Sequence, residues 1–121
     1  PSIAAMAAAH ADDTDITKIN RLCDEVEDLL TAQKDHTQKD IEFHTAIALS
    51  SQNLVVPRLI PVINSSIPLF VKTTENSLYT ETIETHREIA DAISAHDPLR
   101  AQDAMYLHLV YNRKAIQNLS S

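Results

Sequence analysis

Three histidines and one aspartate stand at spacings that let them meet at a single metal ion. Asp40 and His44 lie in KDIEFHTAIALSSQN, His86 in ETIETHREIADAI and His108 in AMYLHLVYNR. Asp40, His44, Ile47 and Ser51 recur every three or four residues. So do Tyr79, Ile83, His86, Ala90 and Ile93, and likewise Ala101, Met105, His108, Asn112, Ala115 and Leu119. Residues on such a row share one face of a helix. Each histidine therefore faces inward from a different helix, with Asp40 one turn from His44 on the same face. Buried polar groups need partners, and three inward imidazoles with a carboxylate are most simply satisfied by a cation. One histidine on an apolar stripe is better read as a core residue bonded to backbone or water. Three of them on three helices, with a flanking aspartate, favour a metal.

Imidazole and carboxylate donors suit one divalent transition ion, zinc first and then nickel, iron or manganese, over calcium or magnesium. Four protein ligands close a tetrahedral ion, whereas five- or six-coordination leaves positions for water or a small carboxylate. A carboxylate-bridged di-iron centre needs Glu three residues before His. Ile41, Ile83 and Met105 stand at those positions, so that reading falls. There is no His-Glu-x-x-His, P-loop or Gly-rich nucleotide loop. Cys23 lies among acidic residues with no adjacent base, which argues against a reactive thiolate. His10, His36 and His96 fall near helix ends or loops and read as surface residues.

The elements that must position the site are helices. The sequence predicts six: Ser2–His10, about Ile16–Gln33, about Gln38–Ser50, about Leu54–Thr73, about Tyr79–Ala95, and a last helix opened by Asp97-Pro98 and running to about Asn118. Leu22, Val26, Leu29 and Leu30 give the second its apolar face. Asp35 and Thr37 are candidate N-caps for the third, and Asp97-Pro98 is an N-cap and first-turn pair. Pro57 fits the first turn of the fourth helix, whereas Pro61 and Pro68 should bend or split it. The short connection at His96-Asp97 makes the last two helices antiparallel neighbours. His86 lies ten residues before His96 and His108 twelve after it, so the two imidazoles stand at similar heights.

The bulk properties agree. The chain has 121 residues and no Gly, with 4% aromatic residues; strand-rich folds need tight turns and usually Gly. An all-α fold follows, forming one domain over residues 1–121. A net charge of −7 should repel a phosphate backbone. The single Cys23 suits a reducing cytosol, and no apolar run approaches the roughly 20 residues that span a bilayer. The chain starts at Pro1 rather than Met, as a fragment or processed product would.

Asp-x3-His followed by IALSSQN, then ETHREIADAISAHD, then AQDAMYLHLVYNR, resembles the C-terminal effector-binding (FCD) domain of FadR-like regulators in the GntR family of transcription regulators. PSIAAMAAAHADD resembles its Ala-rich first helix, and the likeness covers nearly all of the chain. The resemblance implies an antiparallel helical bundle of six to seven helices, a divalent metal held by Asp40, His44, His86 and His108, and over it a pocket for a small organic acid. It also implies a homodimer, and DNA binding only through an N-terminal winged helix-turn-helix domain that lies outside this chain. His96-Asp97 stands where the family usually has Gly-Asp. Pro61, Ser65, Ser66 and Pro68 interrupt a segment that is smoother and more basic in relatives, and His10 stands near a common Arg.

An effector-sensing, cytoplasmic regulator domain is thus the leading expectation, with Asn112, one turn past His108, as the ligand-binding candidate beside the metal. Asn112 could equally be a buried residue capping a neighbouring helix. A metal-dependent hydrolase or lyase is the enzymatic alternative, but it needs a general base and the inward rows offer none. A purely structural metal in a dimerisation domain is the third reading. Few apolar or aromatic walls are evident around the site, which favours a short hydroxy-, dicarboxylic or sugar acid over a fatty-acyl chain.

Overall fold

The computed structural model describes residues 2–74 and 79–120. They form six helices: α1 Ile3–His10, α2 Asp13–Thr31, α3 Thr37–Ser50, α4 Val56–Thr74, α5 Tyr79–Ser94 and α6 Pro98–Ser120. No strand occurs among the described residues, and none of the helices is long and apolar enough to cross a membrane.

The short α1 lies at the centre, packed against α3, α5 and α6. A helix that is apolar all round belongs inside a protein, and here Ala4, Ala7 and Ala8 are fully buried. Methyl side chains let three neighbouring helices approach one short axis closely. Around α1 run α2 against α3 and α5, and α5 against α6. Ile19, Leu22, Phe43, Ile47, Ile89 and Ile93 fill the space between them. Each such side chain stabilises the fold by about 1.5–3 kcal/mol. By contrast α4 packs only against α3 and α6 among the described residues.

Several boundaries differ from the sequence-based expectation. Helix α2 begins at Asp13 rather than Ile16, because Asp12 and Asp15 form a reciprocal capping box: Asp15 N–H donates to Asp12 Oδ1 (2.8 Å) and Asp12 N–H to Asp15 Oδ2 (3.1 Å). At the start of α3, Asp35 Oδ1 accepts from the Thr37 amide and hydroxyl, which is a local turn; the N-cap position itself is His36, without a side-chain cap. The pair at α6 is as expected, with Arg100 N–H donating to Asp97 Oδ1 (3.1 Å). Pro61 and Pro68 do not split α4, which runs through both. The carbonyls that lose a donor, at Pro57 and Asn64, lie on exposed positions, where water can serve them.

A Gly-free chain still has to turn. Gln33, Gln52 and His96 take left-handed φ values of 56°, 57° and 53°, at a cost of roughly 1–2 kcal/mol each. The α5 end shows how this is offset. Asp97 N–H donates to Ala92 O and His96 N–H to Ile93 O, both at 3.0 Å, closing a Schellman turn. The His96 ring then donates from Nδ1 to Ala8 O at 2.9 Å, tying the α5–α6 turn to α1. Histidine here replaces the expected glycine and adds a tether that glycine lacks.

Candidate metal centre

Asp40 and His44 project from α3, His86 from α5 and His108 from α6. The helix rows converge. One nitrogen each of His44, His86 and His108 lies within 4.8 Å of the others, and Asp40 Oδ1 stands 3.3 Å from His44 Nε2 and 3.4 Å from His86 Nε2. Asp40, His86 and His108 are buried, and the His44 side chain is 13% exposed. Of the inward rows, Ile47, Ser51, Ala90, Ile93 and Ala101 are buried as expected, and Ile83 and Met105 half-buried. The side chains of Tyr79, Ala115 and Leu119 lie outside the described residues.

Hydrogen bonding within this group is incomplete. Asp40 Oδ1, His44 Nε2 and both ring nitrogens of His86 are buried without a hydrogen-bond partner among the described residues. Leaving such groups unpaired costs about 1–3 kcal/mol each. Donors held on one tetrahedral ion by bonds of about 2.1 Å stand about 3.4 Å apart, so the three imidazoles, within 4.8 Å of one another, would close inward to share one cation. The donor chemistry, the spacing and the orphaned atoms all fit a divalent transition metal.

The electrostatics point the same way. Burial lowers His86 from 6.5 to about 4 against the pull of Asp40, with His44 and His36 adding to the depression. Burial, then His86 and His44, hold His108 well below the ordinary histidine value. Burial would raise the Asp40 carboxyl, but His86, His44 and His108 outweigh it and keep it below the usual carboxylate range. Near neutral pH Asp40 is a carboxylate and His86 and His108 are neutral imidazoles, the protonation states that metal ligands need.

Two supporting residues escaped the sequence reading. Phe43, fully buried, stacks on His86 with ring centroids 4.6 Å apart. Thr85, also buried, places Oγ1 2.9 Å from His108 Nδ1. The Thr85 hydroxyl has one proton, and its shorter bond is to Glu81 O at 2.7 Å rather than to Thr82 O at 3.4 Å. Thr85 Oγ1 therefore accepts from His108 Nδ1–H, leaving the Nε2 lone pair of His108 for a metal. A Thr-His dipeptide gives no sign of this, because the contact crosses from α5 to α6. Asn112 is half-buried one turn beyond His108. Of the three histidines assigned to the surface, His10 and His96 are exposed but His36 is 8% exposed and counts as buried. It sits at the head of α3, its carbonyl accepting from Asp40 N–H, so the first turn of α3 carries it inward. Cys23 is buried too, its thiol pushed up to about 11 by desolvation, as suits an inert core thiol.

The comparisons with known proteins agree with the all-helical fold. The chain belongs to the FCD domain family, whose profile matches residues 1–111. It is 34% identical over 103 residues to an uncharacterized HTH-type transcriptional regulator, YcbG, of Bacillus subtilis (strain 168), covering 82% of this chain and 43% of that protein. It is 31% identical over 115 residues to the Uxu operon regulator of Haemophilus influenzae, covering 89% of this chain and 43% of the relative. Among solved structures, a chain described as Streptococcus agalactiae GntR superposes with a TM-score of 0.78 at 33% identity, covering 93% of this chain and 52% of that one. The chain thus spans less than half the length of the curated relatives it matches, and these relatives are regulators rather than enzymes.

Proposed function

We propose that this chain is the effector-sensing part of a cytoplasmic transcription regulator, binding a small organic acid at a divalent metal held by Asp40, His44, His86 and His108. The observation that carries this reading is the set of buried, unpartnered atoms on Asp40, His44 and His86, contributed by α3 and α5, with a His108 nitrogen from α6 within 4.8 Å of the other two imidazoles. Neutral imidazoles and one carboxylate at an ion with open positions make an acceptor for a hard anionic oxygen, so a carboxylate head would sit on the metal. Asn112, half-buried one turn beyond His108 on α6, would select among acids. Contact with DNA falls to another domain of the whole regulator, since this chain carries a net charge of −7 and an acidic surface repels phosphates. The regulator acts as a homodimer on this reading, and signalling requires that the acid bind one arrangement of the pair more tightly than another.

Calorimetric titration of a panel of hydroxy-, dicarboxylic and sugar acids into zinc-loaded and metal-free protein tests this. Binding confined to the loaded form is expected. Asp40→Ala should lose it along with the metal, whereas Asn112→Ala should keep the metal and bind acids less selectively. Equal affinity in loaded and metal-free protein would remove the metal as anchor.

A further inference from the structure

The charges around the site restrict the acid further than its size does. A divalent ion with one ionised carboxylate, Asp40, and three neutral imidazoles carries a net charge of +1, since these are the forms in which the side chains ligate. Any further positive charge contributed by a Lys or Arg would have to come from the ten such residues of the chain, all of which are described. None is buried: Lys18, Arg21, Lys34, Arg58, Lys72, Arg113 and Lys114 are exposed, and Lys39, Arg87 and Arg100 half-buried.

Those three are engaged elsewhere. Lys39 precedes Asp40 and Arg87 follows His86, yet both turn toward α2. Lys39 Nζ lies 3.2 Å from Glu25 and 3.5 Å from Glu42, and Arg87 pairs with Asp24 and Glu27. Arg100 pairs with Glu88 across the α5–α6 junction. On the other side α4 lies across α3 and α6, the helices that carry His44 and His108. Its buried and half-buried positions include Ile60, Ile63 and Ile67, which offer a second anionic group nothing to pair with, while its two cations, Arg58 and Lys72, stand at exposed positions.

We infer that the effector is a singly charged acid, one carboxylate on a neutral body, and that this domain discriminates against the matching diacid. The inference rests on the metal-anchored acid site proposed above. A first carboxylate neutralises the +1 centre. A second would be desolvated beside apolar α4 residues without a counter-charge, and an unpaired charge out of water is strongly disfavoured. The excluded class comprises the dicarboxylic acids that size alone allows.

The test uses pairs that differ in charge and little else: succinamate against succinate, in which an amide replaces one carboxylate, and gluconate against glucarate on the same six-carbon hydroxylated chain. Each is titrated into zinc-loaded protein, with zinc content measured before and after. In any pair that binds, the singly charged member should be tighter by at least about tenfold. A diacid that binds as tightly as its partner or more so overturns this inference alone and leaves the metal-anchored site standing. It would mean that a cation reaches the site from His36 or from outside the chain. If no member binds loaded protein at millimolar concentration while glucarate and succinate leave its zinc in place, both the inference and the acid-site reading fall.

Discussion

Acidification of the metal-free domain should cost it stability in a window set by His86. The unfolded chain takes up a proton there as pH falls through 6.5, the ordinary histidine value, whereas the buried ring in the native state resists until about pH 4. Between those values the unfolded state binds more protons, so stability is intact above 6.5 and falls progressively toward pH 4. At about 1.4 kcal/mol per pKa unit, the shift corresponds to a loss of about 3 kcal/mol. His108 is depressed by the same burial and adds to the loss in the same direction, and Asp40 adds to it below the carboxylate range. A typical domain has only about 5–15 kcal/mol in hand, so the effect is a large share of the total. Urea denaturation of chelator-dialysed protein, followed by helical circular dichroism at steps from neutral pH down to pH 4, measures it. His86→Gln removes the titrating ring, and the slope should flatten by its share. A flat wild-type profile, or wild type and His86→Gln losing stability in parallel, would refute the argument that desolvation of His86 governs the acid limb.

Three further outcomes follow from the geometry. His86→Ala should abolish the binding of about one transition ion per chain, read by elemental analysis, whereas His36→Ala should keep the ion and lose about 1–3 kcal/mol of stability as a buried polar group is removed; equal metal content in wild type and His86→Ala sinks the site. Thr85→Val should weaken zinc about 10- to 100-fold, the usual effect of losing a group that orients a ligating histidine, with recovery in Thr85→Ser. Competition with a chromophoric chelator reads this, and unchanged zinc affinity in Thr85→Val would show that the hydroxyl does not set the His108 tautomer. Chelation of the loaded protein should lower the melting temperature by mass action without unfolding the chain at neutral pH; an unchanged melting curve in protein shown to carry metal would uncouple site from fold.

The convergence of Asp40, His44, His86 and His108 was legible in sequence because helical periodicity reports which residues share a face. Asp40, His44, His86 and His108 needed only that and the short His96-Asp97 turn, which places two of them at one height. Periodicity is silent where a contact crosses between helices off the main stripe, and so Thr85 and Phe43 were missed. It is also weak at helix ends. His36 read as surface because it precedes α3, yet the first turn carries it inward, and the α2 start was placed too late because Asp12 and Asp15 read as loop residues when they are cap and first turn. The α4 prolines looked like breaks because local rules charge a proline for two lost interactions; exposure of the freed carbonyls at Pro57 and Asn64 removes most of that cost. The small-acid expectation rested on a sequence with few aromatic walls, and it could not see that Ile60, Ile63 and Ile67 share the less exposed side of α4.

On the proposed reading, the arrangement also separates what holds the fold from what would bind the acid. The apolar cluster runs through α1, α2, α3, α5 and α6 with Ile19, Leu22, Phe43, Ile47, Ile89 and Ile93 at full burial, and among the described residues α4 contributes none to it. Most of the buried, unsatisfied polar atoms among the described residues belong instead to Asp40, His44 and His86 on α3 and α5, beside His108 on α6, and α4 rests on α3 and α6. Neutral imidazoles can therefore be kept at a cost that the rest of the core offsets, and α4 can alter its contacts with α3 and α6 without opening that core. A bound acid would shift the domain only through contacts that differ between two arrangements. Contacts within the alanine-lined centre are close-packed and leave little room for a second arrangement. On this division, an acid that acts through the site does so by changing how α4 lies on His44's helix and His108's helix, while the packing of α1 stays as it is.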